Sequence, residues 1–94
     1  MIEWDARKAS SNEKKHGASF SEAASLFNDP FFVVFADPDH SQIESRYIIM
    51  GHSEQGRLLI AGYVERAGKV RLIWARKTTK RERRIYEERL KEHW

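Results

Sequence analysis

The sequence predicts an α+β fold, with an antiparallel sheet of about four to five strands, two N-terminal helices and one C-terminal helix. Two observations lead to this prediction. Helical periodicity and helix-capping residues occur near both ends of the chain, whereas residues 31–75 contain short aromatic and β-branched runs separated by turn residues. Helices and strands that segregate along a chain are typical of α+β domains. The 94 residues are enough for one core, so a single domain over 1–94 is expected.

The two N-terminal helices are predicted from their caps. Asp5 suits an N-cap, and the polar helix that follows, Ala6–His16, is ended by Gly17. Ser19 or Ser21 can cap a second, short helix, in which the alanine and phenylalanine residues follow the helical period.

The predicted strands are joined by short turns, and short connections demand antiparallel neighbours. The run Phe31–Ala36 is aromatic and β-branched, and it is apolar on both faces. We therefore predict that it lies centrally in the sheet. The remaining strands are predicted over Ile2–Trp4, Arg46–Gly51, Arg57–Glu65 and Lys69–Ala75.

The segment that opens the last helix is strongly basic. Six Lys/Arg residues and one acid lie between Arg76 and Arg84, and a Thr-x-x-Glu capping-box pattern occupies 79–82. Residues 1–47 carry five Lys/Arg and eight Asp/Glu, a charge of −3, whereas residues 48–94 carry twelve and six, a charge of +6. A basic half of this kind favours a polyanionic partner such as RNA, and equally an acidic protein partner.

Composition excludes several other classes of protein. The chain has no cysteine, so disulfides and thiolate metal sites are excluded. The four histidines show no metal-ligand spacing, and no metal or cofactor is predicted. The N-terminal residues lack the basic and apolar regions of a signal peptide, and no apolar run could span a membrane. We expect a soluble cytoplasmic protein.

Two groups of residues are candidates for phosphodiester chemistry. At the entrance to a strand, His40 or Glu44 is a possible base for a ribose 2′-hydroxyl, with Arg46 on the same strand face as Glu44. The alternative interpretation is a polar loop with one surface ion pair. Arg57 and Arg76 stand at the ends of two other strands, where they could grip a phosphate or simply be solvated.

The last helix and the first helix supply further candidates for RNA contact. Tyr86 lies on the stripe that includes Leu90, where core packing is the default and stacking on a base is the alternative. The candidate RNA-binding cations, for which a solvated helix face is the alternative, are Lys8, Lys15, Lys77, Lys80, Arg81, Arg83 and Arg84.

An ordered set of short motifs runs through nearly the whole chain. In chain order these are Trp4-Asp5, Lys8, Asn12, Lys15-His16-Gly17, Phe20, Glu22-Ala23, Asp29-Pro30, Asp39-His40-Ser41, Glu44, Arg46, Gly51-His52-Ser53, Gly56-Arg57, Ala75-Arg76, Glu82-Arg83 and Tyr86-Glu87. Together they resemble the BrnT family, the toxin half of a bacterial type II toxin–antitoxin pair. One departure is Trp74, where a small residue, commonly serine, is expected.

The resemblance implies a RelE-like fold and a small ribonuclease that cuts RNA and halts translation. It also implies a BrnA-type antitoxin, which carries a ribbon-helix-helix part, so that operator DNA would be contacted through the complex. Arg57, Arg76 and Tyr86 occupy places like the strand arginines and the helix tyrosine of RelE-type enzymes.

We therefore predict a metal-independent endoribonuclease in which the 2′-hydroxyl attacks the adjacent phosphate and leaves a 2′,3′-cyclic phosphate. The predicted catalytic residues are Glu44 or His40 as the base, Arg57 and Arg76 for transition-state charge, Arg46 in support, and Tyr86 to position a base or assist proton transfer. Two other hypotheses stay open. One is a nucleic-acid-binding module without catalysis, and the other is a subunit whose basic surface receives an acidic protein.

Overall fold

The structure of the protein is a computed structural model that describes residues 1–39 and 44–92. The order of the elements matches the order predicted from the sequence. The elements are β1 (Ile2–Trp4), α1 (Ala6–His16), α2 (Phe20–Ala24), a 3₁₀ turn (Ser25–Asn28), β2 (Val33–Ala36), β3 (Arg46–His52), β4 (Leu58–Arg66), β5 (Lys69–Lys77) and α3 (Lys80–Lys91). None of the helices in this described part is long and apolar enough to cross a membrane.

The five strands form one sheet in the order β1-β5-β4-β3-β2. The strands β2 to β5 pair with antiparallel neighbours, as their short connections require. The strand β1 pairs with β5 in parallel, so the sheet is mixed rather than wholly antiparallel. No tight turn constrains the β1–β5 pair, because most of the chain lies between the two strands.

The predicted central position of Phe31–Ala36 is wrong. The strand there is shorter, Val33–Ala36, and it forms an edge of the sheet beside β3. Only Val33 is buried, whereas Phe32 and Phe35 are exposed to 43% and 38%. An apolar run indicates a tendency to strand structure, but it does not fix the number of neighbouring strands; the central place is taken by β4, in which Leu58–Val64 are all buried.

Helices pack on both faces of the sheet. One face packs against α1 and α2, in a core that includes Phe20, Leu26, Ile49 and Leu72. The other face packs against α3, which contributes Tyr86 to a second cluster; its other buried members are Val33, Met50, Leu58 and Ile60. The capping box predicted for this helix is confirmed, since Thr79 and Glu82 exchange side-chain-to-backbone hydrogen bonds.

Asn12 joins α1 to an otherwise unpaired edge of β5. The pairing of β1 with β5 ends at Leu72, and beyond it the Asn12 side chain takes the place of a neighbouring strand. Its Nδ2 donates to the carbonyl of Ala75 at 2.7 Å and to that of Ala18 at 3.1 Å, and its Oδ1 accepts from the Ala75 N–H at 3.1 Å. For the face of α1 that carries Lys8, Asn12 and Lys15, the sequence favours a solvated surface; this prediction is wrong at Asn12, which is buried.

We expect Asn12→Ala to lower the free energy of unfolding by about 2–4 kcal/mol, because it leaves buried backbone groups of Ala75 and Ala18 without partners. Urea denaturation checks this value, with the exposed neighbour Ser11→Ala as the control. A loss no larger than that of the control would contradict the bridging role of Asn12.

Candidate functional site

A basic pocket lies at one end of the sheet, where three strands and α3 meet. The pairing of His52 with Leu58 and of Leu59 with Lys77 brings the end of β3, the start of β4 and the end of β5 together. The pocket has a volume of about 380 Å³, and its polar lining includes His52, Arg57, Lys77, Thr78 and Arg83. Three cations and an exposed imidazole thus surround one space that is open to an anion.

A buried carboxylate lies behind His52. Asp29, whose side chain is only 6% exposed, accepts hydrogen bonds on Oδ2 from the Tyr86 hydroxyl at 2.6 Å and the His52 backbone N–H at 2.7 Å. Its Oδ1 accepts from the Phe31 backbone N–H at 2.8 Å. Burial raises the pKa of Asp29, but these three hydrogen bonds and the neighbouring His52 outweigh it and hold that pKa below its ordinary value.

The Tyr86 hydroxyl connects this carboxylate to the His52 ring. Burial and the Asp29 carboxylate both raise the pKa of Tyr86, so the phenol stays protonated. The Tyr86 hydroxyl donates its single hydrogen to the Asp29 carboxylate, which can only accept a hydrogen bond. The phenol oxygen therefore accepts a hydrogen bond from His52 Nδ1, at 3.2 Å. This geometry assigns the proton of a neutral His52 to Nδ1 and leaves Nε2 with a lone pair, a basic nitrogen.

Tyr86 is 2% exposed and packs in the core, which is the default interpretation of its helix stripe. Its ring also makes an edge contact with the His52 ring, with 5.1 Å between centroids. A ring enclosed in this way offers no free face for an RNA base. Of the two roles predicted for Tyr86, only a role through its hydroxyl fits this position.

Arg57 reaches the basic pocket from an anchored position. Its Nε donates to Glu22 Oε2 at 2.9 Å, and its Nη2 donates to Glu22 Oε1 and, at 3.1 Å, to the Gly17 carbonyl. Glu22 is 2% exposed and also accepts from the Ser53 hydroxyl at 2.6 Å. The hydrogen bonds from Arg57 are the main cause that lowers the pKa of Glu22, so the pair is ionised and fixed.

Arg76 is also bound to a carboxylate. Its Nη1 and Nη2 donate to the two oxygens of Glu82 at 2.8 and 2.9 Å, and this same carboxylate accepts the capping bond from Thr79. The guanidinium lies 5.5 Å from the centroid of the Trp74 ring. Trp74 in turn covers Gly62, where an added Cβ would meet the indole nitrogen at 2.1 Å. The unusual tryptophan thus stacks on Arg76.

Glu44 and Arg46, two other predicted catalytic residues, lie at the opposite end of the sheet. Glu44 forms ion pairs with Arg46 at 2.8 Å and with Arg66. Arg46 and His52 are the two ends of β3, about 20 Å apart at ~3.3 Å per residue. The hydrogen bonds from Arg66 and Arg46 lower the pKa of Glu44. His40 lies outside the described residues.

The predicted RNA-binding cations divide into three groups. Lys77 and Arg83 line the basic pocket. Lys8 and Lys15 line a separate depression of about 270 Å³ between α1 and β5. The remaining three are exposed on α3, and they are Lys80, Arg81 and Arg84.

Sequence reasoning missed three residues that shape the site. These residues, Asp29, His52 and Glu22, occur among the motifs that carry the resemblance, but the sequence predicts no role for them in the site. The hairpin could have indicated His52, because a turn over Ser53–Gly56 pairs His52 with Leu58 on the next strand. This pairing places His52 close to Arg57. No group of three or more His, Asp or Glu side chains in the described ranges is arranged to hold a metal ion.

Comparison with known proteins gives the class to which this chain belongs. The family model described as "Ribonuclease toxin, BrnT, of type II toxin-antitoxin system" matches residues 4–82. The chain belongs to this BrnT family, which confirms the resemblance seen in its motifs, and membership implies an RNA substrate and an antitoxin partner.

A solved structure supports the fold. The chain is similar to the ribonuclease toxin BrnT of Brucella abortus, known from a crystal structure at 1.1 Å resolution, with a TM-score of 0.65 and 16% sequence identity. The alignment covers 85% of this chain and 100% of the Brucella chain. The search of curated proteins finds no match.

The Glu22–Arg57 pair predicts a specific dependence of stability on pH. The pKa of Glu22 in the folded protein is below its ordinary value of 4.5. The ionised Glu22 side chain therefore makes its full contribution to the free energy of unfolding when the pH is above 4.5. The contribution is lost as the pH falls through the folded-state pKa. We expect Glu22→Gln to be less stable than the parent protein at about pH 7, with a smaller difference at about pH 3, measured by urea denaturation. The exposed Glu13→Gln is the control, and an equal difference at both pH values would contradict this account.

Proposed function

We propose that the protein is a metal-independent endoribonuclease toxin whose active site is the basic pocket around His52. The observation that carries the proposal is the position of the His52 ring, which lines the pocket beside Arg57, Lys77 and Arg83 and has Nδ1 engaged by Tyr86. Family membership supports ribonuclease activity in general terms. The assignment of residues and the mechanism are our inference.

In this proposal, RNA places one phosphodiester among the three cations and the preceding ribose against His52. The Nε2 lone pair of His52 takes the proton of the 2′-hydroxyl, and the 2′-oxygen attacks the adjacent phosphorus. The bond to the 5′-oxygen breaks and that oxygen takes up a proton from water, which gives a 2′,3′-cyclic phosphate and a 5′-hydroxyl. The cations stabilise the charge that builds up on the phosphoryl oxygens.

The predicted arginines have different parts in this scheme. Arg57 is fixed by Glu22 through Nε and Nη2, while its Nη1 makes no hydrogen bond within the described residues and is free for a phosphate oxygen. Both terminal nitrogens of Arg76 are held by Glu82, so Arg76 would bind phosphate only after exchanging one carboxylate partner. Glu44 and Arg46 lie too far from His52 to act in the same step.

As a toxin, the protein would inhibit translation by cutting RNA, and a BrnA-type antitoxin would neutralise it. The +6 charge of residues 48–94 gives an acidic partner a surface to cover, and this surface includes the basic pocket. Operator DNA would be contacted through the complex rather than by this chain alone.

One observation favours a second candidate, a nucleic-acid-binding or antitoxin-binding subunit without catalysis. Arg57 and Arg76 are each held by a carboxylate, which reduces the positive charge they offer to a transition state. Salt-dependent RNA binding without cleavage by the free protein would select this candidate.

We expect the purified protein to cleave RNA in the presence of EDTA and His52→Ala to lose about 100-fold or more of that rate, because the base is removed. His16→Ala, at the end of α1, is the matched control. Cleavage is followed on a defined RNA with analysis of the 2′,3′-cyclic phosphate end. Full activity of His52→Ala would place the base elsewhere, and activity abolished by EDTA would contradict the metal-independent mechanism.

Tyr86→Phe retains the buried ring but removes the hydroxyl that accepts from His52. We expect the cleavage rate at saturating RNA to fall by about 10-fold or more, because the His52 tautomer is no longer fixed. The KM is expected to change little. Tyr47→Phe, at the distant end of β3, is the control, and an unchanged rate in Tyr86→Phe would exclude this positioning role.

A further inference from the structure

A second pocket shares the His52 ring with the basic pocket. It has a volume of about 270 Å³, and its lining residues are Ser25, Asn28, Asp29, Pro30, His52, Ser53 and Glu54. Sites for drug-sized ligands span ~300–1,000 Å³, so this space suits a smaller group. A nucleotide bound with its phosphate in the basic pocket would have its ribose at His52 and its base at this second pocket.

Most polar groups in this lining already have partners. The Ser25 hydroxyl donates to the Glu22 carbonyl and accepts from the Glu54 N–H, at 2.6 and 2.9 Å. The Ser53 hydroxyl donates to the Glu22 carboxylate, and Asp29 accepts three hydrogen bonds of its own. These groups build the pocket wall and have little capacity left for a ligand.

Two side chains remain available to read a ligand. Across the described residues, neither the Asn28 amide nor the Glu54 carboxylate forms a side-chain hydrogen bond, and both residues are exposed at the pocket. A carboxylate accepts two parallel hydrogen bonds, and an amide NH₂ donates. Pro30 and His52 also line this pocket and supply ring surfaces against which a base can pack.

We propose that this second pocket is a subsite for the RNA base on the 5′ side of the cleaved phosphate, with a preference for guanine; this rests on the proposed ribonuclease function. Guanine is the one standard RNA base with two adjacent donors, N1–H and N2–H, on its pairing edge, and these match the two oxygens of Glu54. Its O6 can accept from the Asn28 amide. Adenine, cytosine and uracil each offer a single donor position there and leave one carboxylate oxygen unmatched.

Binding of the four 3′-mononucleotides, measured by calorimetry or by NMR titration, tests the subsite without requiring cleavage. We expect 3′-GMP to bind about 10-fold more tightly than 3′-AMP, 3′-CMP or 3′-UMP. Glu54→Gln should reduce this preference to within about 2-fold while the affinity for 3′-UMP is retained. Glu65→Gln makes the same charge change on an exposed residue at the far end of β4 and is the control. Asn28→Ala should lower the affinity for 3′-GMP more than the affinity for the other three nucleotides.

Equal affinity for all four nucleotides, or a guanine preference that survives Glu54→Gln, would overturn the subsite. Failure of any mononucleotide to bind would overturn it as well. Cleavage of a mixed-sequence RNA separates the two proposals. Cleavage without any excess of products ending in guanosine would leave the ribonuclease proposal standing and the base subsite refuted. Selective 3′-GMP binding without cleavage would contradict the ribonuclease proposal and, with it, the assignment of this pocket to the base beside a cleaved phosphate; it would leave a guanine-binding pocket.

Discussion

The buried carboxylate of Asp29 is the constraint on which the rest of the site depends. It accepts hydrogen bonds from β3, from α3 and from the turn that leads into β2, and so it joins three elements that are distant in sequence. A buried carboxylate is costly unless such bonds satisfy it. Because it accepts the only hydrogen of Tyr86, it also determines which nitrogen of His52 is basic. One interaction therefore fixes both local structure and the chemistry available to the imidazole.

Carboxylates organise the cations in the same way. Glu22 holds Arg57 from the buried side, so that the guanidinium faces the pocket in one orientation, with Nη1 unbonded among the residues that the structure describes. Glu82 holds Arg76 and at the same time caps α3, which couples the position of this arginine to the start of the helix. In the proposed reaction, Arg57 would need little rearrangement when a charged transition state forms, whereas Arg76 would first have to exchange a carboxylate partner. Of the cations that line the pocket, Arg57 is thus positioned by an acid behind it.

The order of elements, the caps of α1 and α3 and the antiparallel meander followed from local patterns, because caps, turns and periodicity are properties of adjacent residues. The edge position of β2 and the pairing of β1 with β5 did not follow from local patterns, because strand order depends on contacts between distant segments. The same limit applies to the site. The strand-end position of Arg57 was visible in the sequence, whereas the role of Asp29 depends on contacts 23 and 57 residues away. Glu44 and Arg46 were correctly predicted as neighbours. Their separation from Arg57 could not be predicted locally, because the length of β3 places them at the opposite end of the sheet.

The most direct test of the central claim is the protonation of the His52 ring, read from the ¹⁵N chemical shifts of the imidazole at a pH where it is neutral. The His52 signals are assigned by their loss in His52→Gln. The account predicts the Nδ1–H tautomer in the parent protein and a mixture of tautomers in Tyr86→Phe. A neutral His52 that carries its proton on Nε2 in the parent protein would contradict the account, because Tyr86 would then have to donate to His52 rather than to Asp29.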